Sequence, residues 1–278
     1  MEAMTIRSNL KYHIMKKLFR HFLSAILFAV PCMYASAAWD GTSAAEYAGG
    51  NGTKDNPYLI ATESQFAKFA NDVSTIPGFS RGRYFKLTAD LVMYEGVGSN
   101  MSSSMNGGKA YSPQTPMVGN FTDETTYTAA FEGIFDGDGH TISGLYSVDY
   151  AICVSLFRIT YNATIKNLGV IDSYFYGNAR FARLEGYGSY AGCIVGQCVG
   201  SSQIINCYSN ATLTAKNNAG GIVGRIGEGK VDSCIIDNCV SISTLTTTKS
   251  NKAGISSENS SGSIVRNCFY ANTLPSAI

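Results

Sequence analysis

Three histidines occur, His13, His21 and His140. The first two precede an expected cleavage site, leaving His140 alone in a mature chain. One imidazole is too few for a histidine metal site and leaves little scope for histidine acid–base catalysis. Asp136-Gly137-Asp138-Gly139 has the oxygen-rich look of a calcium loop. An EF-hand would need an acid at the twelfth position, which is Ser147, and His140 and Thr141 replace further oxygen ligands. A tight turn is the better account, so no metal and no cofactor is expected. Asp172, Glu185, Glu228 and Asp232 are scattered. They form no column of convergent acids such as a hydrolase or lyase would need. Seven cysteines follow the cleavage site: Cys153, Cys193, Cys198, Cys207, Cys234, Cys239 and Cys268. No C-x-x-C pair occurs, which weighs against zinc. Export would permit disulfides, though an odd count leaves at least one thiol unpaired within the chain.

The most unusual composition lies in residues 174–190. Tyr174, Phe175, Tyr176, Arg180, Phe181, Arg183, Glu185, Tyr187 and Tyr190 crowd into 17 residues, broken by Gly177 and Gly186. Aromatic rings with arginines on a loop can stack on sugars or anchor a protein partner. The candidate ligand-binding set is therefore Tyr174, Tyr176, Arg180, Arg183 and Tyr187. Alternation of Tyr174 and Tyr176 suits a strand equally well, with the remaining residues covering the chain's own core.

What must position these residues is a repeat. Gly-apolar-apolar-Gly occurs as Gly192 to Gly196 within Ala191-Gly-Cys-Ile-Val-Gly196, and again, 28 residues on, within Ala219-Gly-Gly-Ile-Val-Gly224. A weaker copy is Ala253-Gly254-Ile255-Ser256. A second unit, apolar-polar-Asn-apolar, reads Ile165-Lys-Asn-Leu168, Ile204-Ile-Asn-Cys207, Ile236-Asp-Asn-Cys239 and Val265-Arg-Asn-Cys268. The Asn-to-Asn intervals are 39, 32 and 29, as expected of a solenoid whose insertions fall in its turns. Apolar residues on both sides of Asn cannot both face inward on a straight strand. A bend at Asn, which tolerates the left-handed region, resolves this. An inward ladder of Asn167, Asn206, Asn238 and Asn267 is expected, bonded from turn to turn. Cys207, Cys239 and Cys268 then share a column with Leu168 and read as reduced, small apolar core residues. Stacked strands lie about 4.8 Å apart, so a disulfide between turns is sterically open. Asp237 beside Arg266 would form a surface ion pair contributing under about 1 kcal/mol.

The N-terminus has the parts of a secretory signal peptide. Lys16, Lys17 and Arg20 precede the apolar run Phe22 to Val30, followed by Ala35-Ser36-Ala37 as the cleavage site. The run is too short to span a bilayer, and no later apolar stretch reaches spanning length, so no membrane span is expected in the mature chain. Met15 reads as the true start. Val30-Pro31 before Cys32 makes a poor lipid-attachment signal, so lipid anchoring there is not expected. Removing residues 1–37 takes away five of 21 basic and one of 20 acidic residues, leaving a net charge of −3. With no basic stripe to neutralise phosphates, nucleic acid is not an expected partner. Residues 38–95 read as an N-terminal cap. In it, Thr62-Glu-Ser-Gln65 is a capping box, and Phe66, Phe69, Ala70 and Val73 form one helical stripe. Alternation from Tyr84 to Leu91 predicts a strand. Residues 96–130 read as a surface excursion, and 131–278 as the repeats.

Phe131-Glu-Gly-Ile-Phe-Asp-Gly-Asp-Gly-His-Thr-Ile-Ser-Gly-Leu145 and the Gly-Ile-Val-Gly units resemble the GLUG-repeat family of exported, Bacteroides-type bacterial surface proteins. Asn56-Pro-Tyr-Leu-Ile60 and its helix are similar to the N-terminal cap of those proteins. The resemblance spans roughly residues 48–273. It implies an all-β chain, a right-handed parallel β-helix with a short α-helical cap, secreted or on the cell surface. It also implies adhesion, with no shared catalytic residues. Two features depart from the family: the third Gly-rich unit is degenerate, and no anchoring module precedes Ile278. The leading expectation is a non-catalytic binding protein whose partner is a host or microbial glycan or a surface protein. A carbohydrate-active β-helix enzyme (lyase or hydrolase) and a structural spacer without a ligand stay open as alternatives.

Overall fold

Short runs of alternating apolar and polar residues each become a strand with one buried face, and here the runs stack on one another at strand spacing. The computed structural model describes residues 39–100, 113–120, 129–149, 152–177, 190–227, 233–247 and 251–271. The expected signal peptide lies outside them. The chain is mostly β, and the paired strands of its four sheets run parallel. The first sheet holds Tyr58–Ile60, Tyr84–Leu87, Ile134–Asp136, Thr164–Lys166, Gln203–Ile205, Ile235–Asp237 and Ile264–Arg266, neighbours in chain order. The second runs from Leu91–Val92 through Thr141–Ser143, Gly169–Gly177, Tyr208–Ala215 and Val240–Ser241 to Phe269–Tyr270. Tyr146–Asp149 and Thr244–Thr247 pair with the far halves of its two long strands. The third holds Cys153–Val154, Tyr190–Gly192, Asn218–Gly220 and Lys252–Ala253, and the fourth Phe157–Tyr161, Val195–Val199 and Val223–Ile226. From Ile134 to Ile226 the chain visits first, second, third and fourth sheet in the same order on three circuits. The next circuit has strands in the first three and meets the fourth through the single bridges Ser256↔Val223 and Asn259↔Ile226.

Register makes columns. Phe85, Phe135, Ile165, Ile204 and Ile236 lie directly over one another and are almost fully buried. Stacking of like apolar residues on every circuit removes each from water twice, by the circuit before and the one after. The stack begins before residue 131: strands at 58, 84 and 91 already belong to the first and second sheets. The helix Glu63–Thr75 starts at Thr62, whose Oγ1 accepts the Gln65 N–H at 3.3 Å. Gln65 Oε1 in turn accepts the Ala61 N–H at 2.9 Å, one residue earlier than a strict capping box. Phe66, Phe69, Ala70 and Val73 are its buried stripe. The Phe69 ring lies 4.7 Å from Phe85 and 5.3 Å from Phe135, so the helix packs against the first circuits.

The described part of residues 96–130 is not wholly on the surface. Val97 and Val118 are fully buried, and Val118 bridges Phe157 of the fourth sheet. Apolar residues inside a polar segment were drawn down to the core.

Glycine and asparagine make the corners. A Cβ on Gly192 or Gly220 would strike the carbonyl oxygen of Val195 or Val223, which is why the turn into the fourth sheet needs glycine there. Asn167, Asn206, Asn238 and Asn267 all sit in the left-handed region, at φ 52° to 55°. Their side chains point out rather than in. Asn206 and Asn267 are exposed, while Asn167 and Asn238 are half-buried. The left-handed bend turns Asn outward so that its flanking residues, such as Ile165 and Leu168, can both enter the core. An amide inside that apolar column would have to satisfy all its hydrogen bonds there or incur a desolvation cost.

Candidate binding face

The outward columns run across the circuits just as the inward ones do. Asn206 Nδ2 donates to Asn167 Oδ1 at 3.1 Å, and Asn238 Nδ2 to Asn206 Oδ1 at 2.5 Å. The two ends of the run choose carboxylates instead. Asn167 Nδ2 donates to Asp136 Oδ1, and Asn267 Nδ2 to Asp237 Oδ1, both at 2.9 Å. Beside them Lys166 pairs with Asp136 at 2.9 Å, and Arg266 grips Asp237 through two nitrogens at 2.8 and 2.9 Å. Burial works to raise the Asp136 carboxyl, but Lys166, Asn167 and the Asp138 N–H outweigh it and hold it below the usual range. The Arg266 guanidinium does the same for Asp237, against a smaller effect of burial.

Other acids are committed in the same way. Asp138 pairs with Lys86 at 2.9 Å, Glu132 with Arg81 at 2.8 Å, and Glu258 with Arg225 at 3.5 Å. Asp72 accepts from Tyr47 Oη and Lys68 Nζ. His140 Nδ1 sits 3.3 Å from Asp90, which also accepts the Thr141 N–H. In Asp136 to His140 the chain makes a turn, with Asp138 and Gly139 at positive φ and the His140 N–H donating to Gly137 O. Among the described residues no group of three or more His, Cys, Asp or Glu could hold a metal.

All seven described cysteines are thiols, six buried and Cys268 half-buried. Burial pushes Cys193 up to about 11, although Ser243 and Ser209 bond its sulfur. A thiol that far above neutrality is a poor nucleophile.

The aromatic candidates separate. Phe175, Leu213 and Leu245 are in register and point to the core, so their neighbours on each side point out. One outward column is Tyr146, Tyr174, Thr212 and Thr244; the other is Val148, Tyr176, Thr214 and Thr246. Tyr174 is only 4% exposed. Its ring stacks on Tyr146 at 6.1 Å, under Tyr94 and Val97. That cover is held by Tyr94 Oη donating to Pro113 O, and by the Gly98 N–H donating to Asp172 Oδ1. Tyr174 is thus a core residue of a small tyrosine cluster, and its face is not free for a ligand. Tyr176 stands at the margin of that cluster, half-buried. Arg180, Arg183 and Tyr187 lie outside the described residues.

Among the described residues the cover reaches no further than Tyr176, and the threonines begin. Thr212 and Thr214 are half-buried, and Thr244 and Thr246 exposed. These four lie outside the expected ligand-binding set. Their signal in the sequence is a repeat: Thr-Leu-Thr at 212–214 returns at 244–246, a shift of 32 that equals the Asn206-to-Asn238 interval. Tyr176, Val148 and the four threonines make an outward sheet surface with one ring, several hydroxyls and no charge among them.

Comparison with known proteins places the chain broadly. No family model matches it. Over 187 residues, 66% of the chain, it is 30% identical to Halomucin of Haloquadratum walsbyi, of which it spans 2%. Its backbone is similar to a crystal structure from Bacteroides ovatus, of a protein described provisionally as an immunoglobulin A1 protease. The TM-score is 0.57 and the identity 21%, over 81% of this chain and 60% of the other. At that identity the likeness is one of fold alone. No helix among the described residues is long and apolar enough to cross a membrane.

Proposed function

We propose that this chain is an exported, non-catalytic binding protein of adhesion type, secreted or held at the cell surface. On this reading residues 1–37 are a signal peptide cleaved near Ala37. The stacked circuits are a right-handed parallel β-helix of GLUG-like repeats, and the helix Glu63–Thr75 caps its N-terminal end. The observation that carries the reading is an uncharged patch on the outward face of the second sheet, where Tyr176 leads into Thr212, Thr214, Thr244 and Thr246. A ring for stacking and a row of hydroxyls at strand spacing suit a neutral sugar surface, which is recognised by such contacts and not by charge. The ion-paired acids described above support a binding role over hydrolysis, because a general acid or a nucleophile must be free to meet its substrate.

The test is a glycan-array and host-matrix screen on the full chain and on Tyr176→Ala, Thr214→Val and Tyr187→Ala. Binding that weakens at least tenfold in Tyr176→Ala, with the circular dichroism spectrum unchanged, supports the face. Weakening in Tyr187→Ala alone moves the site to the insertion between 177 and 190. An absence of binding on both screens sinks the proposal and leaves a spacer.

A further inference from the structure

Cys207, Cys239 and Cys268 stand one circuit apart. The pairs Asp237↔Arg266 and Val240↔Phe269 flank the last two of them, with two residues between on each strand, so Cys239 and Cys268 are in register. The ladder continues past them, the Phe269 N–H donating to Cys239 O at 2.9 Å. Each thiol has the same setting. Cys239 Sγ donates to the carbonyl of Asp237 at 3.4 Å, and Cys268 Sγ to that of Arg266 at 3.1 Å. Each also reaches the carbonyl of an isoleucine one circuit back, Ile204 and Ile236 respectively. Matching carbonyl contacts on adjacent parallel strands place the two sulfurs on the same side, at a Cα separation of about 4.8 Å, within the range a disulfide spans.

Access differs sharply. Cys239 is fully buried and Cys268 is half-buried on the outermost described circuit. That circuit is also the least covered: Ile264, Val265, Phe269 and Tyr270 are 45%, 39%, 50% and 62% exposed.

We propose that Cys268 and Cys239 are a thiol–disulfide exchange site, taking a small-molecule disulfide as co-reactant and closing into a bond that staples the outermost described circuit to the one beneath it. The Cys268 thiol gives up its proton and attacks the external disulfide, forming a mixed disulfide and releasing one thiol. Cys239 then gives up its proton and attacks Cys268 Sγ, forming the Cys239–Cys268 bond and expelling the second thiol. Two protein thiols are oxidised, one external disulfide is reduced to two thiols, and the two protons end on those thiols. Because each sulfur hydrogen-bonds to its neighbour, both thiols are pushed above the usual range, Cys268 by Cys239 and Cys239 by Cys207. Raised thiols are poor nucleophiles near neutrality, so the first attack is slow there and quickens as pH rises.

The experiment treats the reduced full chain with oxidised glutathione at pH 8 and maps unreduced peptides by mass spectrometry. The expected product joins the peptide carrying Cys239 to that carrying Cys268, lighter by two hydrogens, and resists thermal unfolding better than the reduced chain. Cys239→Ser should stop at a glutathione adduct on Cys268, and Cys268→Ser should leave Cys239 a thiol. A Cys207–Cys239 link in the native chain, a Cys239 disulfide formed in Cys268→Ser, or seven mature thiols surviving unchanged would each overturn the proposal. A mixed disulfide that persists on Cys268 in the native chain would do so too.

Discussion

At the scale of single residues the corner asparagines carry two duties that substitutions can separate. Asn206 adopts φ 52° and also joins Asn167 to Asn238 through its amide. Alanine would keep neither the tolerance for that backbone nor the bonds; glycine would keep the first. Asn206→Ala is expected to lower stability by about 1–2 kcal/mol and Asn206→Gly by less. The comparison is made at the urea midpoint with the slope unchanged. The paired acids make a second prediction, with a definite sign. Asp136 and Asp237 are held below their ordinary value of 3.8 in the folded chain, so the unfolded chain binds protons more readily. Their contribution is complete above about pH 5 and fades as pH falls through the folded values. Each pair is partly exposed, so each contributes under about 1 kcal/mol. Arg266→Met should lose stability at pH 7 and little at pH 3. Equal losses at both pH values would show that the arginine acts through packing.

At the scale of elements, what was legible was what is local. The helix announces itself within fourteen residues, from Thr62 to Thr75, by a cap and a 3.6-residue stripe, and both are used. Thr62→Ala should cost about 1 kcal/mol. Phe69→Ala, which empties the contact with Phe85, Phe135 and Phe157, should cost about 3–5 kcal/mol. Thermal melts of the two variants test whether the helix is docked that firmly; equal small shifts would mean that it is not. Tyr174 was not legible, for the opposite reason. Its alternation with Tyr176 identifies a strand, but what covers it comes from Tyr94 and Val97, about eighty residues earlier in the chain. Nothing near Tyr174 signals that approach. The direction of the asparagines was missed for a related cause: the flanking apolar residues require a bend, and only the sign of φ decides which way the bent residue's own side chain goes.

At the scale of the whole molecule, the repeat was readable because each circuit solves the same packing problem with the same residues. The intervals of 39, 32 and 29 vary where the chain leaves the sheets, apart from one residue taken up by the bulge at Asp172 inside Gly169–Gly177. Such a stack is held by nearest neighbours, so its stability need not be uniform along its length. The two ends differ. On the first strand the Leu59 N–H donates to Gly49 O, and Leu59 O accepts from the Ala48 N–H, so an antiparallel strap closes that edge. On the other side Val265 continues the column of Ile204 and Ile236, yet it is 39% exposed where they are fully buried. Among the described residues its circuit is covered from one side only. The Ile264, Phe269 and Ala271 N–H groups of that circuit still donate to Cys234, Cys239 and Ser241 O, so hydrogen bonding alone predicts equal protection throughout. Burial predicts a gradient. Native-state hydrogen exchange should show Ile264–Arg266 and Phe269–Tyr270 opening at the lowest free energy. Protection should rise through Ile235–Asp237 to the global value at Thr164–Lys166 and Gln203–Ile205. Uniform protection across all four would mean that the stack opens as one unit. With the gradient present, oxidation of Cys239 and Cys268 should raise protection in the last circuit and leave the inner strands unchanged.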